Sequence, residues 1–338
     1  MGQIAGLLNS YIELTLKLVT SDMTNPTISR RKALQFIGVT AAGVSVAQQA
    51  EGSVIKTKLP AKPAFTYCLN MATIRGHKLG FIKELETASK ADFPSVEIWI
   101  DSLQDYLNNG GTIKDAKKRI DDLGLKIENL ISFNEWVVDD EQTRKNGMEQ
   151  MKNEMGILAE LGCKRLAATG KGATDTSIPD LKVIAERYRT ILELGDSFGV
   201  VPQIEMWGFQ KNLSKVSEVL YIAIESDHPS AKILMDVFHI YRGNTSLNTL
   251  HLMSPTAVDI LHMNDYPANF PYQTITDADR IYPGDGVAPL KQILQTLRRY
   301  DQPLILSTEL FNKNYYSQDA LLVAKTSLAK MKMVVEGI

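Results

Sequence analysis

Cysteine is nearly absent: Cys68 and Cys163 are the two thiols in 338 residues, and neither belongs to a C-x-x-C pair. A disulfide scaffold and a thiolate zinc site are excluded, and two buried free thiols are expected. An excess charge of one sign is also lacking. Lys and Arg total 37 against 39 Asp and Glu, a formal net charge of -2, so nothing draws the chain to nucleic acid or to an anionic membrane. No G-x-G-x-x-G follows the first predicted strand and no G-x-x-x-x-G-K-[ST] occurs, which removes dinucleotide and P-loop readings. Histidine is scarce, at five, too few for a histidine-rich three-metal nuclease cluster.

What remains is an ordinary globular composition, 44% hydrophobic and 22% charged. Residues 1–50 stand apart as an N-terminal extension, followed by a linker over 51–63. Ser29-Arg30-Arg31-Lys32 precedes a short Gly/Ala-rich apolar run, Ala33 to Val44, with Ala47 and Ala50 as small-residue cleavage positions. A twin arginine before such a run predicts twin-arginine export to the periplasm. The run is too short for a stable membrane anchor. Met23 gives a more typical start for such a signal than Met1, and an ordinary basic amphipathic helix in the cytoplasm is the alternative.

From Ala64 to the end, strand and helix patterns alternate. Strands are predicted at 65–70, 95–99, 125–133, 165–169, 200–206, 231–236, 258–264 and 303–309. Helices are predicted at 81–89, 113–123, 142–161, 179–198, 213–226 and 319–335, three of them stopped by Gly124, Gly162 and Gly199. Eight β/α units in about 270 residues predict one closed (β/α)₈ barrel over 64–338, of parallel strands joined by right-handed crossovers. The connection from Tyr266 to Leu290 is too long for a simple loop and predicts a lid or pocket wall.

In such a barrel the C-terminal strand ends share one mouth. Four consecutive strands end in acids or imidazole: Glu205, Asp236, His262 and Glu309. A single strand-end carboxylate is more often a helix N-cap, and a single strand histidine a bonded core residue. Four in succession predict one divalent metal site, an O₃N set suited to Mn²⁺, Mg²⁺, Co²⁺ or Zn²⁺. His239, three residues after Asp236, is placed to meet a substrate oxygen. Asn134-Glu135-Trp136 and Arg280 to Gly286 also fall at the mouth, and Trp136 and Trp207 offer faces to a sugar-like ring, with rim packing as the alternative.

From Phe65 to Met331 the chain resembles the xylose-isomerase-like TIM barrels, the sugar isomerase/epimerase superfamily, and within it the inosose isomerase branch. The resembling stretches are Leu69-Asn70-Met71-Ala72-Thr73, Val96-Glu97-Ile98, Leu234 to His239, Leu261 to Asp265, Thr276 to Gly286 and Ser307 to Phe311. The resemblance implies that Glu205, Asp236, His262 and Glu309 bind the metal and that Glu205 and Glu309 double as acid and base. His239, Arg280, Trp136, Asn70 and Trp207 are the expected substrate contacts. Ketose epimerases of the superfamily carry a further Glu six positions after the fifth-strand Glu, where this chain has Lys211.

The expected chemistry is isomerisation or epimerisation of a keto-sugar or keto-inositol. The metal would hold the carbonyl and adjacent hydroxyl of an α-hydroxyketone, stabilising an enediolate while a carboxylate moves the proton. A lyase or dehydratase on an oxidised (keto) sugar or glycoside, and a non-catalytic periplasmic sugar-binding barrel, are the competing readings. The partner is a small carbohydrate or cyclitol, with room for a homo-oligomer.

Overall fold

The structure is a computed structural model, and it describes residues 63–172 and 180–338. The twin-arginine segment, most of the linker and Pro179 lie outside the described residues. The barrel forms one compact unit, Lys62–Ile338.

Eight parallel strands close in sequential order: β1 (Phe65–Asn70), β2 (Ser95–Trp99), β3 (Lys126–Ile131), β4 (Arg165–Ala168), β5 (Val201–Glu205), β6 (Ile233–Asp236), β7 (Val258–Met263) and β8 (Leu304–Thr308). The helices between them are α1 (Ala72–Arg75), α2 (Phe81–Lys90), α3 (Ile100–Asn108), α4 (Ile113–Asp122), α5 (Glu141–Leu161), α6 (Leu181–Asp196), α7 (Val216–Glu225), α8 (Val237–Arg242), α9 (Leu290–Leu297), α10 (Lys313–Tyr316) and α11 (Ala320–Val335). Every predicted strand is present, trimmed by up to two residues at an end. Helix α5 starts where Asp140 accepts a hydrogen bond from the Thr143 N–H and stops at Gly162, whose φ of 78° is left-handed, as its glycine allows.

Strand alternation divides the core in two. Residues facing outward pack under the helices in one continuous cluster. Cys68, Ile131, Ala167, Leu234, Ile260 and Ile305 face inward and plug the barrel axis. Four of these lie two residues before Asn70, Asp236, His262 and Ser307, so period-two alternation points the latter group inward, one layer nearer the mouth. Both thiols are buried and free. At the N-terminal ends, Asp259 joins Arg165 (3.2 Å), Arg299 (2.6 Å) and Lys232 (3.6 Å), while Arg165 also meets Glu128 at 3.1 Å.

Candidate metal centre at the barrel mouth

Register brings the strand-end residues together. Asp236 pairs with His262, and His262 with Ser307, two residues before Glu309. One ligand atom from each of Asp236, His262 and Glu309 lies within 4.8 Å of the others, and all three side chains are buried. Asp236 takes the capping role expected of a single strand-end carboxylate and still turns one oxygen to the cluster. Its Oδ1 caps α8 by accepting from the His239 N–H at 2.9 Å, while its Oδ2 faces the cluster.

His262 is oriented as a ligand is. Its Nδ1 lies 3.1 Å from Glu309 Oε2 and 3.5 Å from Asp236 Oδ2, yet makes no hydrogen bond. Its Nε2 turns the other way, 3.0 Å from Glu97 Oε2 and 3.3 Å from Oε1. A metal-binding imidazole needs this arrangement, with one nitrogen free toward anionic oxygens and the other held by an acceptor. Burial disfavours charge on His262, but Glu309 and Glu97 outweigh it and hold its pKa well above the usual histidine range. The same anions would favour any cation beside Nδ1. An imidazole nitrogen with carboxylate oxygens suits a divalent first-row ion, so the residues present fit one.

Glu205 ends β5 and is buried, but lies outside the 4.8 Å set. It senses the same charges. Burial, then the nearby Glu309 and Asp236, push its carboxyl up to about 8 against the pull of His262.

Arg280 is fully buried, and its Nη1 donates to Asp236 Oδ2 at 2.7 Å and Glu309 Oε2 at 2.8 Å. Its other edge is held by Asp277, and its face lies over Phe238 at 4.5 Å. Burial opposes ionisation of Asp236, but the Arg280 guanidinium against it holds it well below the usual carboxylate range. His239 Nε2 accepts from Arg280 Nη2 at 3.1 Å, so Nδ1 carries the ring proton; it is buried without a partner. Burial drives the His239 pKa down to about 4, which leaves the ring neutral.

The Tyr266–Leu290 connection folds back on Asp265. Asp265 and Ile281 exchange backbone hydrogen bonds at 2.9 Å in an isolated antiparallel bridge. Asp265 Oδ1 accepts from the N–H groups of Tyr266 and Ala288, both at 2.8 Å, and Oδ2 from Gly284 and Gly286, both at 3.0 Å. This anchored turn carries Arg280 over the site.

Of the other predicted contacts, Asn70 reaches the centre, donating to Glu309 Oε1 at 3.2 Å. Trp207 is partly exposed, between Phe133 and His239. Trp136 is a correction. It is wholly buried, its Nε1 donates to the Thr169 carbonyl at 2.7 Å, and it packs on Tyr188, so it is a core residue with no face for a ligand. The rim rings beside Trp207 are Phe133, Trp99 and Phe311. Lys211 is exposed. Sequence reasoning left Glu97 and Asn264 without a role. The signal for Glu97 was there, a lone acid between Val96 and Ile98 on a strand with no exposed face.

The sequence matches the xylose isomerase-like TIM barrel family over residues 85–332, and the chain belongs to that family. Relatives within reach are inosose isomerases. That of Bacillus licheniformis is 26% identical over 269 residues, 77% of this chain and 94% of its own. That of Halalkalibacterium halodurans is 25% identical, over 77% of this chain and 93% of its own. Among solved structures, the IOLI protein with a bound zinc atom superposes with a TM-score of 0.73 at 24% identity, covering 80% of this chain and 98% of its own. An L-ribulose 3-epimerase superposes at 0.62 and 16% identity, over 80% and 95%.

Proposed function

We propose that this chain is a divalent-metal-dependent isomerase of a keto-inositol or keto-sugar, with Asp236, His262, Glu309 and Glu205 around the ion. The observation that carries the reading is the unbonded Nδ1 of His262, buried beside the oxygens of Asp236 and Glu309. The inosose isomerase relatives and the zinc of the IOLI protein support it. When bound, the ion supplies Lewis-acid polarisation of a substrate carbonyl and its adjacent hydroxyl.

The protein's own groups would do the rest. Glu205, whose burial raises its affinity for a proton, takes one from the carbon beside the carbonyl; that proton returns to the neighbouring carbon from Glu205, or passes to Glu309 and returns from there. The Nδ1–H of neutral His239 is a buried donor for a substrate oxygen. Arg280 holds Asp236 and Glu309 in place through its Nη1, and keeps Asp236 ionised. Trp207 and its aromatic neighbours face the C–H side of a ring. The twin-arginine segment supports export to the periplasm; a native N-terminus still bearing Arg30 and Arg31 would count against it.

The test is metal analysis of the purified chain with an assay on keto-inositols and ketoses in D₂O. Glu205→Gln with unchanged metal content is expected to stop solvent deuterium entering the substrate. Retained exchange would refute its role, and loss of water from the substrate would point to a dehydratase instead.

A further inference from the structure

The carboxylate of Glu97 has no place in the chemistry above, yet it is among the most enclosed charges in the barrel. It is wholly buried on β2, between Val96 and Ile98. Four side chains converge on it. His262 Nε2 lies 3.0 Å from Oε2, Asn129 Nδ2 donates to Oε1 at 2.9 Å, Asn70 Nδ2 donates to Oε2 at 3.1 Å, and Ser307 Oγ also donates to Oε2.

The orientation of Asn70 is not arbitrary. Its Oδ1 accepts from Trp99 Nε1 at 2.8 Å and from the Ala72 N–H at 2.9 Å, so a flipped amide would set its NH₂ against two donors. The Nδ2 group is therefore fixed toward acids, and it spans two of them: Glu97 and, at 3.2 Å, Glu309 Oε1. Glu97 thus touches His262 directly and Glu309 through one amide. Register explains the convergence, since Asn70 pairs with Glu97 across β1 and β2 while Ser307 pairs with His262 across β7 and β8.

We infer that Glu97 is a positioning residue for the metal centre: it anchors the Nε2–H of His262 so that Nδ1 is the ligating nitrogen, and through Asn70 it sets the reach of Glu309. The inference rests on the proposed metal reading of Asp236, His262 and Glu309. A buried anion accepting from the far nitrogen fixes the tautomer, turns the ring and makes the near nitrogen a stronger donor. Leaving four donors facing a neutral group removes all three effects at once. Burial opposes a charge on Glu97, but His262 and the surrounding donors outweigh it and hold its pKa below the usual range.

The test uses the full chain, stripped with chelator and titrated with Zn²⁺ and Mn²⁺ by calorimetry, for wild type, Glu97→Gln and Asn70→Ala. Glu97→Gln keeps the volume and is expected to weaken ion affinity about 10- to 100-fold. Asn70→Ala is expected to weaken it less, with Glu309 still present. Where Glu97→Gln does not fold, nitrogen-15 NMR of loaded wild-type protein decides: Nδ1 of His262 should be the ligated atom and Nε2 the protonated one. Affinity within twofold of wild type in folded Glu97→Gln, or ligation through Nε2, would overturn the inference while leaving the metal reading intact. Wild-type protein that binds neither ion would overturn both.

Discussion

Asp265→Asn is isosteric, yet it should behave almost as badly as Asp265→Ala. Each carboxylate oxygen accepts from two backbone N–H groups, Oδ1 from Tyr266 and Ala288 and Oδ2 from Gly284 and Gly286. An amide offers one oxygen and one NH₂. Either rotamer therefore satisfies one pair and aims donors at the other pair. For the alanine variant, Gly284 is an exposed residue, so its N–H turns to water at little cost. The Tyr266 N–H is buried and loses its partner outright, while Gly286 and Ala288 are half-buried. At about 1–3 kcal/mol per stranded buried donor, the loss comes to about 2–5 kcal/mol.

The loss should register locally before it registers globally, because the turn is a surface connection. Amide exchange over residues 283–289 should rise in both variants, and urea midpoints should fall. KM should rise as well, since the Asp265–Ile281 bridge sits next to Arg280, which holds Asp236 and Glu309. Gly286→Ala attacks the same turn from the other side, because a Cβ there would lie 2.2 Å from the Tyr266 carbonyl oxygen and 2.3 Å from Asp265 Oδ1. An Asp265→Asn protein within about 0.5 kcal/mol of wild type, with unchanged exchange at 283–289, would refute the reasoning; that margin is the ordinary scatter of surface substitutions.

Three further outcomes are expected. Ion binding should displace the protons of both Glu205 and His262 Nδ1, so affinity should climb more than tenfold per pH unit below pH 8, with more than one proton released in buffers of differing ionisation enthalpy. Without the ion, this raised carboxyl favours the fold most at acidic pH, and that contribution should be lost as pH rises toward 8. Burial opposes the charge of Asp259 but Arg165 and Lys232 hold its pKa low, so its stabilisation is complete above the unfolded value near ~4 and is lost as pH falls below that. Asp259→Asn should cost about 3–5 kcal/mol at neutral pH, a deficit that narrows in acid; a constant deficit in urea melts from pH 6 to pH 2 would exclude the ion-pair account. Trp136→Ala should cost about 3–5 kcal/mol of stability, whereas Trp207→Ala should raise KM about 2- to 10-fold with little change in melting.

The barrel was legible because its strands are short apolar runs at β/α spacing, a pattern few other folds share. Helices α3 and α9 were missed, as were the short α1, α8 and α10; α3 and α9 have no side-chain cap, with Trp99 and Pro289 at their N-cap positions. Yet α9 buries Leu290, Ile293, Leu294 and Leu297, a spacing that marks a helix face without any cap. The acids at the strand ends could be read because position in a barrel dictates direction. Trp136 was misread because it follows its strand by five residues, where alternation no longer says which way a side chain points. Asp265 lies just past the end of β7, and its role depends on a turn about twenty residues downstream, which no local pattern announces.

The electrostatics of the mouth divide its acids into two kinds. Asp236 has a guanidinium against it and Glu97 an imidazole, and both are held low although burial pushes them up. Glu205 lies in the same low-dielectric enclosure with no hydrogen-bonded cation among the described residues, and its carboxyl is pushed up to about 8. Carboxyls of one type set apart by environment are the usual basis for assigning fixed charge to some and proton transfer to another. Arg280 therefore does more than neutralise. By committing its charge to Asp236 and Glu309, it leaves Glu205 as the acid whose charge a bound cation would balance, so taking up the ion and freeing the base become one event.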